Sequence, residues 1–192
     1  LYSEVLQRFR AAAQGKGLTR KPPAAQAKRV DTYFDPLPFF YEPLESHVTD
    51  KHKYPLAAVT QRPMAMYHSW DSQNAWLRQI HAHNYLFVNA RTARLAGIED
   101  GDWIWVESQW GKVRCMARHS EAVEPGTVWT WNAIGKAAGA WNLTPDANES
   151  KLGFLLNHVI SEELPAGNAR ISNSDPITGQ AAWYDVRVRI YP

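Results

Sequence analysis

Apolar positions along this 192-residue chain fall into three regimes. Over residues 1–18, Val5, Leu6, Phe9 and Ala12 or Ala13 recur at helical spacing, which predicts a short amphipathic helix that Gly15 and Gly17 stop. Over residues 19–53 that period disappears. Pro22, Pro23, Pro36, Pro38 and Pro43 predict extended connecting chain, and Tyr33, Phe34, Phe39, Phe40 and Tyr41 can pin it to a surface. From residue 54 onward the apolar positions form short runs rich in Val, Ile and Trp, cut by turn residues.

Those runs read as strands. Tyr54-Pro-Leu-Ala-Ala-Val59 is the first and Tyr85-Leu-Phe-Val88 the second. Asn89 then caps a two-turn helix from Ala90 to Ala96, closed by Gly97. Ile98-Glu-Asp-Gly101 turns the chain into Trp103–Ser108, and Gln109-Trp-Gly111 turns it into Lys112–His119. Glu124-Pro-Gly126 leads into Thr127–Trp131. Residues 132–153 read as loop with brief helix, and Trp183–Ile190 alternates as a last strand. Short, turn-separated strands of this kind predict a small β-barrel. The expected organisation is an N-terminal helix and Pro-rich arm over 1–53, followed by a barrel domain over 54–192.

Composition narrows the function classes. A net charge of +2 is too small to argue for nucleic acid. The basic excess sits in residues 1–30, which read better as a linker than as a binding arm because aromatics are not interleaved with the charges. No run approaches the roughly 20 apolar residues of a membrane span, so direct insertion is not expected. Cys115 is the single cysteine, which excludes an internal disulfide and a cysteine-built zinc or iron–sulfur site, and its place in an alternating strand reads as core. The N-terminus has neither an initiator Met nor a signal layout, so the sequence reads as a piece of something longer or a processed product.

The densest candidate chemistry is the stretch 60–74, where the first strand gives out into a loop. Arg62, His68, Ser69, Asp71, Ser72, Gln73 and Asn74 bring mostly neutral donors and acceptors together with one Arg and one His. Such a set suits a polar heterocycle or a phosphate. The same residues also fit a polar loop that satisfies itself through Asx and Ser turns. A serine triad from His68, Ser69 and Asp71 is geometrically poor, because neighbouring residues point in different directions. His81 and His83 resemble a metal pair that lacks a third ligand nearby. A Trp-rich sugar-binding module requires several Trp on one exposed face. A self-processing aspartate decarboxylase requires a Gly-Ser pair, and this sequence has none.

Several segments in order carry a resemblance. Asn89-Ala-Arg-Thr-Ala-Arg-Leu-Ala-Gly-Ile-Glu-Asp-Gly-Asp102, a strand, Gly111 and Val123-Glu-Pro-Gly126 are similar to the C-terminal domain of the molybdopterin oxidoreductases of the dimethyl-sulfoxide-reductase family. Thr60-Gln-Arg62 with His68-Ser69, Asn157-His-Val-Ile160 and Ser174–Gln180 resemble further segments of that pattern. Met66–Asn74 with Trp129–Lys136 resembles most the sulfite dehydrogenase and polysulfide reductase type of catalytic subunit.

The resemblance implies a mainly β fold, a six-stranded double-psi β-barrel of the aspartate-decarboxylase-like kind with short helices and the extended arm. It implies a domain that covers bis(molybdopterin guanine dinucleotide) with molybdenum or tungsten, shared with upstream domains that carry the metal ligand and a [4Fe–4S] cluster. The parent would oxidise or reduce a small sulfur oxyanion such as sulfite. Its partners would be a membrane anchor and an iron–sulfur electron-transfer subunit. It would lie in the cytoplasm or the periplasm, and this piece alone would be inactive. The implied cofactor contacts are Gln61, Arg62, Tyr67, His68, Ser69, Ser72, Gln73, Asn74, Asn157 and Gln180. The alternative is a stand-alone β-barrel module that binds a ligand or protein without redox function.

Overall fold

The computed structural model describes residues 3–17, 20–132, 134, 144, 146–148, 153–181 and 186–192. Six strands close a barrel: β1 Leu56–Gln61, β2 Leu86–Val88, β3 Trp103–Glu107, β4 Lys112–His119, β5 Thr127–Trp131 and, last in the chain, β8 Val186–Tyr191. Around the barrel their order is β1-β5-β2-β4-β3-β8. Two pairs are parallel, β1 with β5 and β2 with β4, and the other four are antiparallel. Two interlocked parallel pairs in six strands are the arrangement expected of a double-psi barrel.

Alternation explains why these segments are strands. Leu56, Ala58, Leu86, Val88, Ile104, Val106, Cys115, Ala117, Val128, Val186 and Val188 are buried, while the residues between them face outward. Burial pushes the Cys115 thiol pKa up, which fits a small inert core residue. The outer face of β2 and β5 carries aromatics: Phe87 stacks on Trp129 at 4.1 Å, and Trp129 meets Trp131 edge-on at 4.8 Å. β1 starts two residues later than the sequence reading placed it. Pro55 has no N–H for the ladder and instead accepts from Arg187 through its carbonyl at 3.2 Å. Residues 133, 135–143, 145 and 149–152, within the predicted 132–153 loop, and 183–185 of the predicted last strand lie outside the described residues.

The arm is less extended than its prolines suggest. Helix α1 spans Ser3–Ala13, and a second helix, α2, spans Ala27–Tyr33 after a short 3-10 turn. The segment 24–33 holds no proline and begins Ala-Ala-Gln-Ala-Lys-Arg, so helix propensity wins there. The arm docks on the barrel through Glu45, only 2% exposed. Its carboxylate accepts from Trp110 Nε1 at 2.8 Å and from Asn173 Nδ2 at 3.2 Å.

Among the described residues two further α-helices and one hairpin accompany the barrel. α3 spans Ala75–Ile80. α4 spans Ala90–Leu95, capped by Asn89 Oδ1 on Arg91 N at 2.9 Å, as read from the sequence. The hairpin of β6 Glu163–Ala166 and β7 Ala169–Ser172 lies in a stretch to which the sequence pattern assigned no element.

Gly111 lies where the β3–β4 turn meets the segment Leu156–Val159. A Cβ added there would collide with the carbonyl oxygen of His158, and Ser108 Oγ donates to Val159 O at 2.7 Å beside it. Gly111→Ala is expected to cost about 1–3 kcal/mol of stability, read as a lower denaturant midpoint. At the β3–β8 seam, the Tyr191 hydroxyl and then Arg189 hold Glu107 below its ordinary carboxylate pKa. A depressed pKa contributes stability above the ordinary carboxylate range and loses it as pH falls through the lowered value. Glu107→Gln should therefore flatten the fall in melting temperature between about pH 5 and 3.

Candidate functional site

Strand direction alternates around the chain: β1, β3 and β5 run one way, and β2, β4 and β8 run the other. The connections 62–85, 108–111 and 132–185 therefore leave the same end of the barrel. The connections 89–102 and 120–126 leave the opposite end and are tied down by local bonds. Asn89 Nδ2 donates to Val123 O at 2.8 Å, and Thr92 Oγ1 donates to Pro125 O at 2.7 Å. Every residue nominated from the sequence lies at the first end.

Gln61 is the final residue of β1, in register with Trp131 of β5, and its carbonyl accepts from Asn132 N at 2.9 Å. Past it the chain is anchored by buried Pro63 and Met66, while Arg62 and Tyr67 stay exposed. Among the described residues no carboxylate pairs with Arg62. Asp71 Oδ2 accepts from Tyr67 N at 2.8 Å and shapes a 3-10 helix over His68–Gln73. His68 sits at φ +51°, the sole positive φ outside glycine among the described residues. That left-handed backbone costs a side-chain-bearing residue roughly 1–2 kcal/mol, a strain found most often at functional sites.

Part of the polar cluster satisfies itself. Asn74 Oδ1 caps α3, accepting from Trp76 N at 3.0 Å and Leu77 N at 3.4 Å, so its NH2 is the group left for a ligand. Asp71 is likewise engaged with the Tyr67 backbone rather than with His68, which removes the orienting acid from the hydrolase reading. The side chains of Ser69, Ser72 and Gln73 lie outside the described residues. Gln61, Arg62, Tyr67, His68 and the Asn74 NH2 remain as donors among the described side chains.

Asn157 and Gln180 come to this end from the late connection. Asn157 is exposed on the 3-10 turn Leu156–Val159, which Ser108 and Gly111 hold against the barrel. Gln180 closes a tight turn, its carbonyl accepting from Asp175 N at 2.6 Å. Asp175 organises that turn: its Oδ1 accepts from Ile177 N at 3.0 Å, Thr178 N at 2.6 Å and Thr178 Oγ1 at 2.9 Å. Burial alone would raise the Asp175 pKa, but the donors from Thr178, Tyr41 and Ile177 outweigh it and hold the carboxyl below its usual range. No hydrogen bond among the described residues joins Asn157 or Gln180 to the 61–74 set. The strand topology has both connections leave the same end of the barrel.

One residue of this rim escaped the sequence reading. Asn132 follows β5 and bonds to Gln61, and its Oδ1 is buried with no partner among the described residues. An unpaired buried acceptor costs about 1–3 kcal/mol, so it marks a place where a ligand donor fits. A lone Asn after a strand gives little signal by itself. Its parallel pairing with β1 is what singles it out. His81 lies against Trp131 at 5.4 Å, and His83 Nδ1 is 3.4 Å from the Tyr85 hydroxyl, on the outer wall beside the rim.

Known proteins match this chain in the same region. The family described as the molybdopterin dinucleotide binding domain matches residues 56–182. A sulfite dehydrogenase subunit from Allochromatium vinosum is 72% identical over 193 aligned positions, covering 100% of this chain and 20% of that protein. Acetylene hydratase of Syntrophotalea acetylenica is 30% identical over 99 positions, covering 50% of this chain and 14% of that protein. The solved structure of acetylene hydratase from Pelobacter acetylenicus has the same fold, with a TM-score of 0.62 at 22% identity, over 84% of this chain and 22% of that one. The chain thus spans about a fifth or less of the length of the two sequence relatives.

The strain at His68 has a measurable consequence. His68→Gly should raise stability by about 0.5–1 kcal/mol, and His68→Val should lower it by at least as much, both read from denaturant unfolding. A destabilised His68→Gly would show that the left-handed backbone carries no strain.

Proposed function

The chain belongs to the molybdopterin-dinucleotide-binding domain family, and from that membership we propose that it is the cofactor-holding domain of a molybdenum oxidoreductase catalytic subunit whose substrate is a small sulfur oxyanion such as sulfite. The cofactor class, bis(molybdopterin guanine dinucleotide), follows from the family. When bound, it supplies the redox chemistry at its metal, and the protein supplies binding, orientation and electrostatics.

The observation that carries this reading is the rim itself. Strand alternation delivers Gln61, Arg62, His68, Asn132, Asn157 and Gln180 to one end of the barrel, within the residues the family matches. The donor set fits the group. Asn132 offers a buried acceptor to an N–H of a flat heterocycle, and Gln61, His68 and the Asn74 NH2 offer donors. Arg62, exposed and free of any carboxylate among the described residues, suits the pyrophosphate. Ser69, Ser72, Gln73 and Tyr67 belong to the same connection and complete the contact surface in this reading.

The wider assignment follows from a relative named as one subunit of a sulfite dehydrogenase, which implies a multi-subunit enzyme. Residues 54–192 form the binding unit and 1–53 an arm on its flank. The rest of the catalytic subunit would hold the metal ligand and a [4Fe–4S] cluster. Its partners would be a membrane anchor and an iron–sulfur electron-transfer subunit. Among the described residues no helix is long and apolar enough to cross a membrane. Family membership favours this reading over a stand-alone module.

Arg62 and His68 hold the cofactor in this proposal and do not transfer protons. Losing a charged or charge-assisted hydrogen bond costs about 1.5–3 kcal/mol, or roughly ten- to a hundredfold in affinity. In the catalytic subunit that carries this domain, Arg62→Ala or His68→Ala should lower molybdenum and guanine nucleotide per protein, with activity falling in proportion. Full occupancy with slow turnover per bound metal in His68→Ala would reject the holding role and assign His68 to tuning the bound cofactor.

A further inference from the structure

The arm does more than cover the barrel wall. Three of its residues converge on the turn that carries Gln180, and all three lie outside residues 56–182, which the family matches. Tyr41 donates its hydroxyl to Asp175 Oδ2 at 3.0 Å. Arg29 donates through Nε to Pro176 O at 2.6 Å and through an Nη to Asp175 O at 3.4 Å. Glu45, buried, accepts from Asn173 Nδ2 at 3.2 Å, and Asn173 donates its other bonds to Ser161 O and, through its backbone, to Glu162 O. The turn's entry at Asn173 and its apex at Asp175–Pro176 are thus both held from the arm.

Among the described residues, the turn's other hydrogen bonds to the body are those of Asn173 to Ser161 O and Glu162 O. Its internal bonds run from Asp175 to Ile177, Thr178, Gly179 and Gln180, and Ser174 bridges Ala181 across its base. These fix the shape of the turn but not its position on the barrel. The bonds from Arg29, Tyr41 and Glu45, beside those from Asn173 to Ser161 O and Glu162 O, supply that position. The arm's bonds span 128 to 147 residues in sequence, so they fix a relation that no local signal sets. Asp175 is the point where the two systems meet, because one carboxylate oxygen shapes the turn and the other takes the arm.

We propose that Arg29, Tyr41 and Glu45 are positioning residues for the cofactor: the arm clamps the 173–181 turn so that Gln180 is presented at the rim. This rests on the reading of Gln180 as a cofactor contact. The arm thereby acts on cofactor retention through the turn. The ligand class is the one already given, and what is added is a second element on which its retention depends.

The test uses the full catalytic subunit with cofactor bound and two readouts. One is amide hydrogen exchange of the peptide covering 173–181, and the other is the rate at which guanine nucleotide is lost from the protein on dilution. Tyr41→Phe removes one neutral donor to a carboxylate and Arg29→Gln removes the guanidinium. Each should speed exchange in 173–181 by roughly three- to tenfold and leave the barrel strands unchanged. Each should also speed nucleotide loss, in the direction of Gln180→Ala. Should Arg29→Gln not yield folded protein, Tyr41→Phe carries both readouts alone. Unchanged exchange in 173–181 overturns the clamp. Faster exchange with parental nucleotide retention, while Gln180→Ala loses nucleotide, also overturns it, because the turn would then be loosened without effect on the cofactor. Full retention in Gln180→Ala removes the reading on which the clamp rests, and the clamp with it. Retention in Gln180→Ala beside loss in Arg62→Ala confines that failure to the late connection.

Discussion

The pairing of β1 with β5 in parallel is the constraint from which the rest follows. Parallel neighbours cannot be joined by a tight turn, so a long excursion must lie between them. Here that excursion contains β2, β3 and β4, and β8 returns to close the ring against both β1 and β3. With directions alternating along the chain, each connection has a fixed end. One end receives the capped helix α4 and the turn at Pro125–Gly126. The other receives the connections 62–85, 108–111 and 132–185. Polar groups for a ligand collect at this second end because the topology leaves long loops nowhere else.

The two ends differ in how their backbone groups are spent. At the α4 end, Asn89 and Thr92 side chains bond to carbonyls of the neighbouring turn, which leaves a self-satisfied cap. At the other end, Asn84 shows how the wall is sealed below the rim. Buried, it donates to Trp131 O at 3.0 Å and Phe154 O at 3.2 Å and accepts from Thr130 Oγ1 at 3.0 Å. Just above it, Asn132 keeps an acceptor unpaired among the described residues and His68 keeps a left-handed backbone. Saturation below and deficit above is the pattern expected where a scaffold gives way to a binding surface.

The strands were legible because a barrel with one packed interior imposes period two on every strand, and Ile104, Val106 and Val128 obey it. The start of β1 was misread because Tyr54 and Pro55 continue the apolar run without joining the ladder. α2 was hidden by prolines on both sides of a helix-forming segment. The 60–74 cluster was legible by density alone, but sequence did not separate groups that serve the loop, Asp71 and the Asn74 carbonyl, from groups that face outward. Asn132 and Glu45 were not legible at all. Their significance comes from partners far along the chain, Gln61 for one and Trp110 and Asn173 for the other, and spacing carries no trace of such pairs.

Ring closure by β8 also bears on how the chain is made. A ribosome delivers residues in order at about 5–20 per second. When β1 emerges, one of its two neighbours, β5, is still some 70 residues away and the other, β8, about 130, by the register of the pairs. Glu45 waits as long for Asn173. Until residues 186–191 exist, the barrel is an open sheet with two free edges, and the arm has only part of its landing place. Nascent chains of this design therefore pass through about 130 residues of synthesis, from β1 to β8, with apolar strands exposed. That interval, rather than the finished fold, is when the chain most needs a chaperone.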